Sequence, residues 1–153
     1  MPHVSIAIAS DVIDVSATLA SFSEQRSDAG AVASFVGYCR GSSAAGPVRA
    51  LELQHYPGFT EKVIEGFVAD LAAKHGFSRL VVVHRVGEVL PGEAIVLVAA
   101  ASAHRAAAFA VVETLMDYLK SEAPFWKQEH RADGAHWIEP TDEDYARLQT
   151  RKS

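Results

Sequence analysis

Only one cysteine, Cys39, occurs among the 153 residues. A lone thiol excludes an intramolecular disulfide, and no Cys-x-x-Cys knuckle offers a metal site. A reducing compartment such as the cytoplasm is the expectation. Long apolar runs are also missing. The longest weakly polar stretch, AIVLVAAASA at 94–103, is about half of what a membrane span needs. The opening MPHVSIAIASDVIDVS has neither a basic n-region nor a long apolar core, so no signal peptide is expected. An excess of positive charge is absent too. With a net charge of -5, the chain is not a general nucleic-acid binder, because phosphate neutralisation needs a basic surface. Any anion site has to be a local cluster within an acidic protein.

Signature motifs are equally scarce. There is no Walker loop, GxGxxG, HExxH or GxSxG. The histidines (His3, His55, His75, His84, His104, His130 and His136) do not follow metal-ligand spacing, so no metal centre is expected. Repeats, linkers and low-complexity tracts are absent. Hydrophobic residues make up 49% and charged residues 22%, which together suit one globular domain spanning 1–153.

Hydrophobic periodicity divides that domain into alternating strands and helices. Residues 4–8 read as an opening strand. Asp14 caps a helix expected to run to about Gln25, with Val15, Leu19 and Phe22 on one face. SDAG at 27–30 is a turn. Residues 30–40 read as a strand in which Gly37 marks a bulge or a close backbone approach. GSSAAGP at 41–47 reads as a mobile small-residue loop, and residues 48–56 as another strand. Residues 61–75 carry Val63, Ile64, Phe67, Val68 and Leu71 at helical spacing, and Gly76 stops that helix. Residues 79–89 and 94–101 are strands joined through Pro91-Gly92. Ser102 is the expected cap of a helix over 103–121, with Phe109, Val112, Leu115, Met116 and Leu119 as its buried stripe. Pro124 stops continuation. Two short strands flank Asp133-Gly134, and Thr141 to Asp144 reads as a capping box for a terminal helix. The pattern predicts an α+β fold with a largely antiparallel sheet and packed helices. His84, set in an apolar strand, reads as a satisfied core histidine.

Chemistry concentrates in three places. His104 and Arg105 fall in the first turn of the second long helix. The macrodipole disfavours cations there by about 0.3–1 kcal/mol, whereas free N–H groups with cations beside them suit a phosphate. The alternative is that Arg105 pairs with Glu88 or Glu93. Lys120 and Lys127 flank the apolar knuckle Ala123-Pro124-Phe125-Trp126. Taken singly, each lysine reads as structural, one at a helix C-terminus and one on a strand. Held by a fixed turn, neighbouring amines lower each other's pKa, and one becomes a candidate base or nucleophile. Tyr38-Cys39-Arg40 ends a strand. Arg40 can reach a ligand or be a solvated charge, and Cys39 reads as a half-buried small hydrophobe. At about 1.5 Å per residue, Lys120 and Arg105 sit more than about 20 Å apart on one helix. Either the substrate is long, or two subunits complete each site.

Four stretches, GAVASFVGYCRG, LELQHYPGFTEK, VVHRVGEVLPGEAIVLVAAASAHRAAAF and MDYLKSEAPFWKQE, resemble the large, catalytic subunit family of molybdopterin synthase. They run in order over roughly residues 30 to 139. The resemblance implies an α/β hammerhead fold. It implies an enzyme that converts a cyclic pyranopterin phosphate into molybdopterin by inserting two dithiolene sulfurs. The sulfur would come as a thiocarboxylate on the C-terminal Gly-Gly of a small ubiquitin-like carrier, with no other cofactor. A homodimer of large subunits would form the core of a heterotetramer. Lys120 and Lys127 match the family's active-site lysines. Arg40, His104 and Arg105 match substrate-pocket residues, and Tyr38, Cys39, Gln128 and Glu129 flank these matches and are expected to line the pocket. Relatives often have lysine and valine at the positions of Tyr38 and Cys39, so a persulfide relay through Cys39 is discounted. The 41–47 loop is small and neutral where relatives often carry asparagine or basic residues. Thr141 falls where a relative can carry arginine.

Two other readings compete. One is a non-catalytic module that docks a ubiquitin-like tail or a small phosphate. The other is a Schiff-base lysine enzyme acting on a sugar phosphate, against which stands the lack of barrel-like βα repetition around the lysines.

Overall fold

The computed structural model describes residues 1–24 and 27–152, and the predicted strands gather there into two four-stranded sheets. The first contains β1 (His3–Ala9), β6 (Arg79–Arg85), β8 (Ala94–Ser102) and β2 (Ala31–Tyr38) in that order. Its β1–β6 pairing is parallel and its other pairings are antiparallel. The second contains β10 (Gly134–Ile138), β9 (Phe125–Arg131), β5 (Ala50–His55) and β7 (Gly87–Val89), all antiparallel. The result is the α+β, largely antiparallel arrangement read from the pattern.

Helices cover both faces of the first sheet. On one side, α2 (Phe59–Lys74) and α3 (Arg105–Ser121) bury Ile64, Val68, Val111 and Leu115 against Leu80, Val82 and Val98. On the other, α1 (Val15–Phe22) lays Leu19 and Phe22 over Ala99 and Ala101. The terminal helix α4 (Asp142–Lys152) packs on α3 and buries Leu148. Among the described residues, no helix is long and apolar enough to cross a membrane.

Local chemistry places the element ends. Asp14 caps α1 by accepting from Ala17 N–H at 3.0 Å. Thr141 and Asp144 form the predicted reciprocal box, with bonds of 2.9 and 3.1 Å. The register of β2 shifts between Gly37 and Tyr38, as the strand glycine suggested.

Several boundaries differ from the sequence reading. The helix α1 ends at Phe22 with Ser23 as its cap, and its expected end at Gln25 lies outside the described residues. The 41–47 segment is no open loop. It forms a small hairpin, β3 (Ser42–Ser43) with β4 (Gly46–Pro47), anchored where Ser43 donates to Glu129 at 2.6 Å. The 79–89 run is two strands in different sheets, because the chain crosses over at Gly87 with φ +84°, a conformation that suits glycine.

The start of α3 also differs. Ser102 stays in β8 opposite Ala31, and its hydroxyl donates to the Gly76 carbonyl at 2.7 Å. That satisfies the hydroxyl elsewhere, so the N-cap falls to His104, whose side chain makes no capping bond. Phe109 is 64% exposed rather than part of the buried stripe. The stripe centres on Ala108, Val111, Val112, Leu115 and Leu119, and one residue's turn of about 100° carries Phe109 to its edge.

Candidate functional site

Lys120 and Lys127 come together. Lys120 lies in the last turn of α3, and Lys127 lies three residues into β9. Between them the chain turns at Ala123-Pro124, with Phe125 N–H bonded to Ala123 O at 2.8 Å. Thr60 of α2 braces the turn by donating its hydroxyl to Pro124 O at 3.1 Å. Phe125 packs into the core and stacks on His84, with centroids 3.9 Å apart. Trp126 points the other way, edge-on to Tyr56 at 4.8 Å and 40% exposed.

Both lysines line two cavities. The smaller, about 290 Å³, is walled by the knuckle, Ile138, Pro140 and Tyr145. The larger, about 640 Å³, is walled by Phe35, Tyr38, His84, Phe109, Met116 and Arg147, among others. The amine pair therefore stands where two cavities meet.

Electrostatics separate the two amines. Lys127 is half-buried, and its pKa is pushed down to about 8, first by desolvation and then by the neighbouring charge of Lys120. Asp144, at the start of α4, opposes that shift. About a tenth of Lys127 is then the free amine at pH 7, against well under a thousandth for an ordinary lysine. Lys120 is exposed. Among the described residues no three His, Cys, Asp or Glu side chains group as metal ligands.

A family model described as MoaE protein matches residues 8–122. The chain belongs to the MoaE protein family. The molybdopterin synthase catalytic subunit of Mesorhizobium japonicum is 49% identical over 142 residues, covering 92% of this chain and 88% of that protein. A solved molybdopterin biosynthesis MoaE protein from Burkholderia ambifaria superposes with a TM-score of 0.75 at 40% identity, covering 97% and 99% of the two chains. The crystal structure of molybdopterin synthase from Staphylococcus aureus matches with a TM-score of 0.77 at 27% identity, covering 90% and 98%.

The other residues expected at the site from the sequence are dispersed within the single chain. Tyr38 is exposed and lines the larger cavity with the lysines. Arg40, just beyond β2, is exposed and lines neither cavity. His104 and Arg105 are exposed at the far end of α3, about 22 Å from Lys120 along the helix. The alternative partners proposed for Arg105 are not used, since Glu93 faces Arg85 at 3.6 Å instead. Cys39 is buried with Val48, Leu53 and Val89, away from both cavities, and burial pushes its thiol pKa up. Gln128 sits opposite Glu52 and Trp137, which alternation puts on the sheet face opposite Lys127. Glu129 shares the Lys127 face but is buried between Ser43 and Arg131, at 2.6 and 2.9 Å. Those donors hold its carboxyl below the usual range.

The structure adds residues that the spacing did not single out. Thr60 holds the knuckle, and Asp144 closes a helix box while facing Lys127. Arg147 lines the larger cavity and is tied to Asp117 at 3.0 Å and Glu113 at 2.8 Å. His84, read from the sequence as a core histidine, is indeed buried, and it also lines the same cavity as the lysines.

Proposed function

We propose that this chain catalyses the molybdopterin synthase reaction, converting a cyclic pyranopterin phosphate into molybdopterin with two dithiolene sulfurs. Each sulfur arrives as a thiocarboxylate on the Gly-Gly tail of a small ubiquitin-like carrier, so two charged carriers are consumed per product. No further cofactor is needed, and the work is done in the cytoplasm.

The observation that carries this reading is the placement of both lysines at the junction of two cavities, one of them with its pKa near 8. In this proposal the carrier tail enters the smaller cavity and the pterin occupies the larger. The thiocarboxylate sulfur, oriented by the ammonium of Lys120, bonds to the pterin side chain. The free amine of Lys127 then attacks the tail's acyl carbon, and the acyl carbon–sulfur bond breaks with the sulfur kept by the pterin. Water hydrolyses the resulting amide link to release the carrier as a carboxylate. Tyr38 borders the pterin. His104, Arg105 and Arg40 hold the phosphate, and the length of α3 supports His104 and Arg105 coming from the second subunit of a homodimer. That dimer, with a carrier at each end, is the heterotetramer. Cys39, Gln128 and Glu129 support this site through the sheet rather than by contact.

The test is reconstitution of the purified chain with thiocarboxylated carrier and cyclic pyranopterin phosphate. The reading requires dithiolene product. Carrier binding without product would favour a docking module. Pairing a Lys120→Ala subunit with an Arg105→Ala subunit tests the shared site. Activity should return in the mixed dimers, and its absence would place each site within one subunit.

A further inference from the structure

The strand β6 sends Leu80, Val82 and His84 to one side of the first sheet. The first two are core residues under α2 and α3, and His84 ends the row at 4% exposure. An imidazole is an expensive residue to bury where a leucine would continue the row, unless its nitrogens are used.

One nitrogen is used. Nδ1 lies 2.9 Å from the carbonyl oxygen of Arg85. A carbonyl only accepts, so Nδ1 carries the hydrogen and Nε2 presents a bare lone pair. Stacking on Phe125, at 14° between the planes, fixes the ring. The hydrogen bond of the His84 ring runs through Nδ1, which leaves Nε2 as its acceptor nitrogen. His84 shares the wall of the larger cavity with Lys120 and Lys127. Phe125, which stacks on the ring, is two residues before Lys127 on the same face of β9, a spacing of about 6.7 Å. A lysine side chain spans that easily.

We infer that His84 is a positioning residue for Lys127: its bare Nε2 accepts a hydrogen bond from the Lys127 amine and thereby aims the amine's lone pair at the reacting carbon of the carrier tail. This rests on the reading that the Lys127 amine takes part in sulfur transfer. A neutral amine has two N–H groups and one lone pair, so holding an N–H fixes the direction of attack. The histidine is suited to the task because it stays neutral. Burial pushes its pKa down to about 4, and the charges of Lys127 and His55 press the same way. It therefore accepts a hydrogen bond at any working pH without adding a third cation to the lysine pair.

The charged neighbours of Lys127 are Lys120 on α3 and Asp144 on α4. Glu113, Asp117 and Arg147 line the same cavity. All are left intact by a change at residue 84. The test compares wild type, His84→Gln and His84→Phe, each in complex with a carrier whose tail ends in an ordinary carboxylate. The titration of Lys127 is followed by NMR of isotope-labelled lysine and assigned by its loss in Lys127→Met. The glutamine oxygen can stand in for Nε2, so His84→Gln should titrate close to wild type. The phenylalanine keeps the stack and loses the acceptor, so the ammonium is less stabilised and Lys127 should titrate lower by about half a pH unit or more. With thiocarboxylated carrier, His84→Gln should keep most of the single-turnover rate. His84→Phe should lose about tenfold in kcat with KM little changed. If His84→Phe does not fold, His84→Met is read in the same way.

An unchanged Lys127 titration in the apolar variant, or equal rates for the apolar variant and His84→Gln, would overturn the inference. A shifted titration alongside a wild type that transfers no sulfur would leave the hydrogen bond standing and remove the assigned reaction instead.

Discussion

Thr60 and Pro124, far apart in sequence, share one hydrogen bond that fixes the lysine pair. The Thr60 hydroxyl donates to Pro124 O at 3.1 Å and accepts from Tyr56 N–H at 3.0 Å. Thr60 is fully buried, so water replaces neither bond. The first turn of α2 thus sets the knuckle from which Lys120 and Lys127 project. A proline carbonyl with no such donor would leave the turn free to drift, and a shift of about 1 Å is enough to spoil a reacting geometry.

Replacing Thr60 by valine, which has the same shape, strands both partners. Thermal or denaturant unfolding should show a loss of about 1–3 kcal/mol. Turnover should fall further than the loss of folded protein explains, while carrier affinity changes little. Unchanged stability would mean that the hydroxyl bonds contribute nothing net.

Lys127 should act against stability. Its pKa is about 8 in the fold against an ordinary 10.5. Between those values the unfolded chain binds a proton that the folded chain does not, so folding stability rises with pH across that window. Below about pH 8 the penalty is present in full. Lys127→Met should therefore be more stable than wild type at pH 7, by on the order of 1 kcal/mol, and the advantage should shrink towards pH 10. Denaturant midpoints at the two pH values measure it. An equal gain at both would assign the effect to packing rather than charge.

His84 should govern part of the acid response. Its pKa is about 4 in the fold against an ordinary 6.5. Its contribution to stability is intact above about pH 6.5 and is lost progressively as pH falls towards 4, where the unfolded chain takes up a proton first. Over that window His84→Phe should lose less stability than wild type. Below it, the paired carboxylates Glu113, Glu129 and Asp133, all held below their ordinary range, should dominate in both proteins. Parallel curves from pH 6.5 to 4 would contradict the buried neutral imidazole.

Cys39 should be chemically quiet. Burial is the main cause of its raised pKa, with Glu129 and Glu93 adding to it and a backbone bond with Leu51 opposing. A thiol without thiolate character reacts slowly, so maleimide labelling of the native chain at pH 7 should be slow and should accelerate on unfolding. Cys39→Ala should transfer sulfur within about twofold of wild type and cost about 1–2 kcal/mol through the small cavity left among Val48, Leu53 and Val89. Loss of transfer in a folded Cys39→Ala would reopen a sulfur relay.

What the sequence made legible was local. Helical spacing placed α2 and most of α3, the Thr141–Asp144 box announced α4, and Pro124 between two lysines marked the site. Long-range pairings were not legible. Nothing in the alternation of 79–89 says that the chain changes sheets at Gly87, because both halves alternate alike. The Ser43–Glu129 bond joins residues 86 apart, so the small-residue segment looked open. Ser102 looked like a cap because a serine before a helix usually is one, and only the sheet supplies Gly76 as its competing partner. His84 reads as core from its own strand. Its place beside the lysine pair becomes visible only when β9 brings Phe125 and Lys127 alongside.

The central claim is that the Lys120–Lys127 pair performs sulfur transfer rather than merely holding the carrier. The direct measurement is single-turnover dithiolene formation by wild type, Lys120→Ala and Lys127→Ala, with carrier affinity determined on the same preparations. The account predicts folded variants that bind carrier within a few-fold of wild type and form product at least about a hundredfold more slowly. Product formed by Lys127→Ala at the wild-type rate, with the carrier bound, would contradict it.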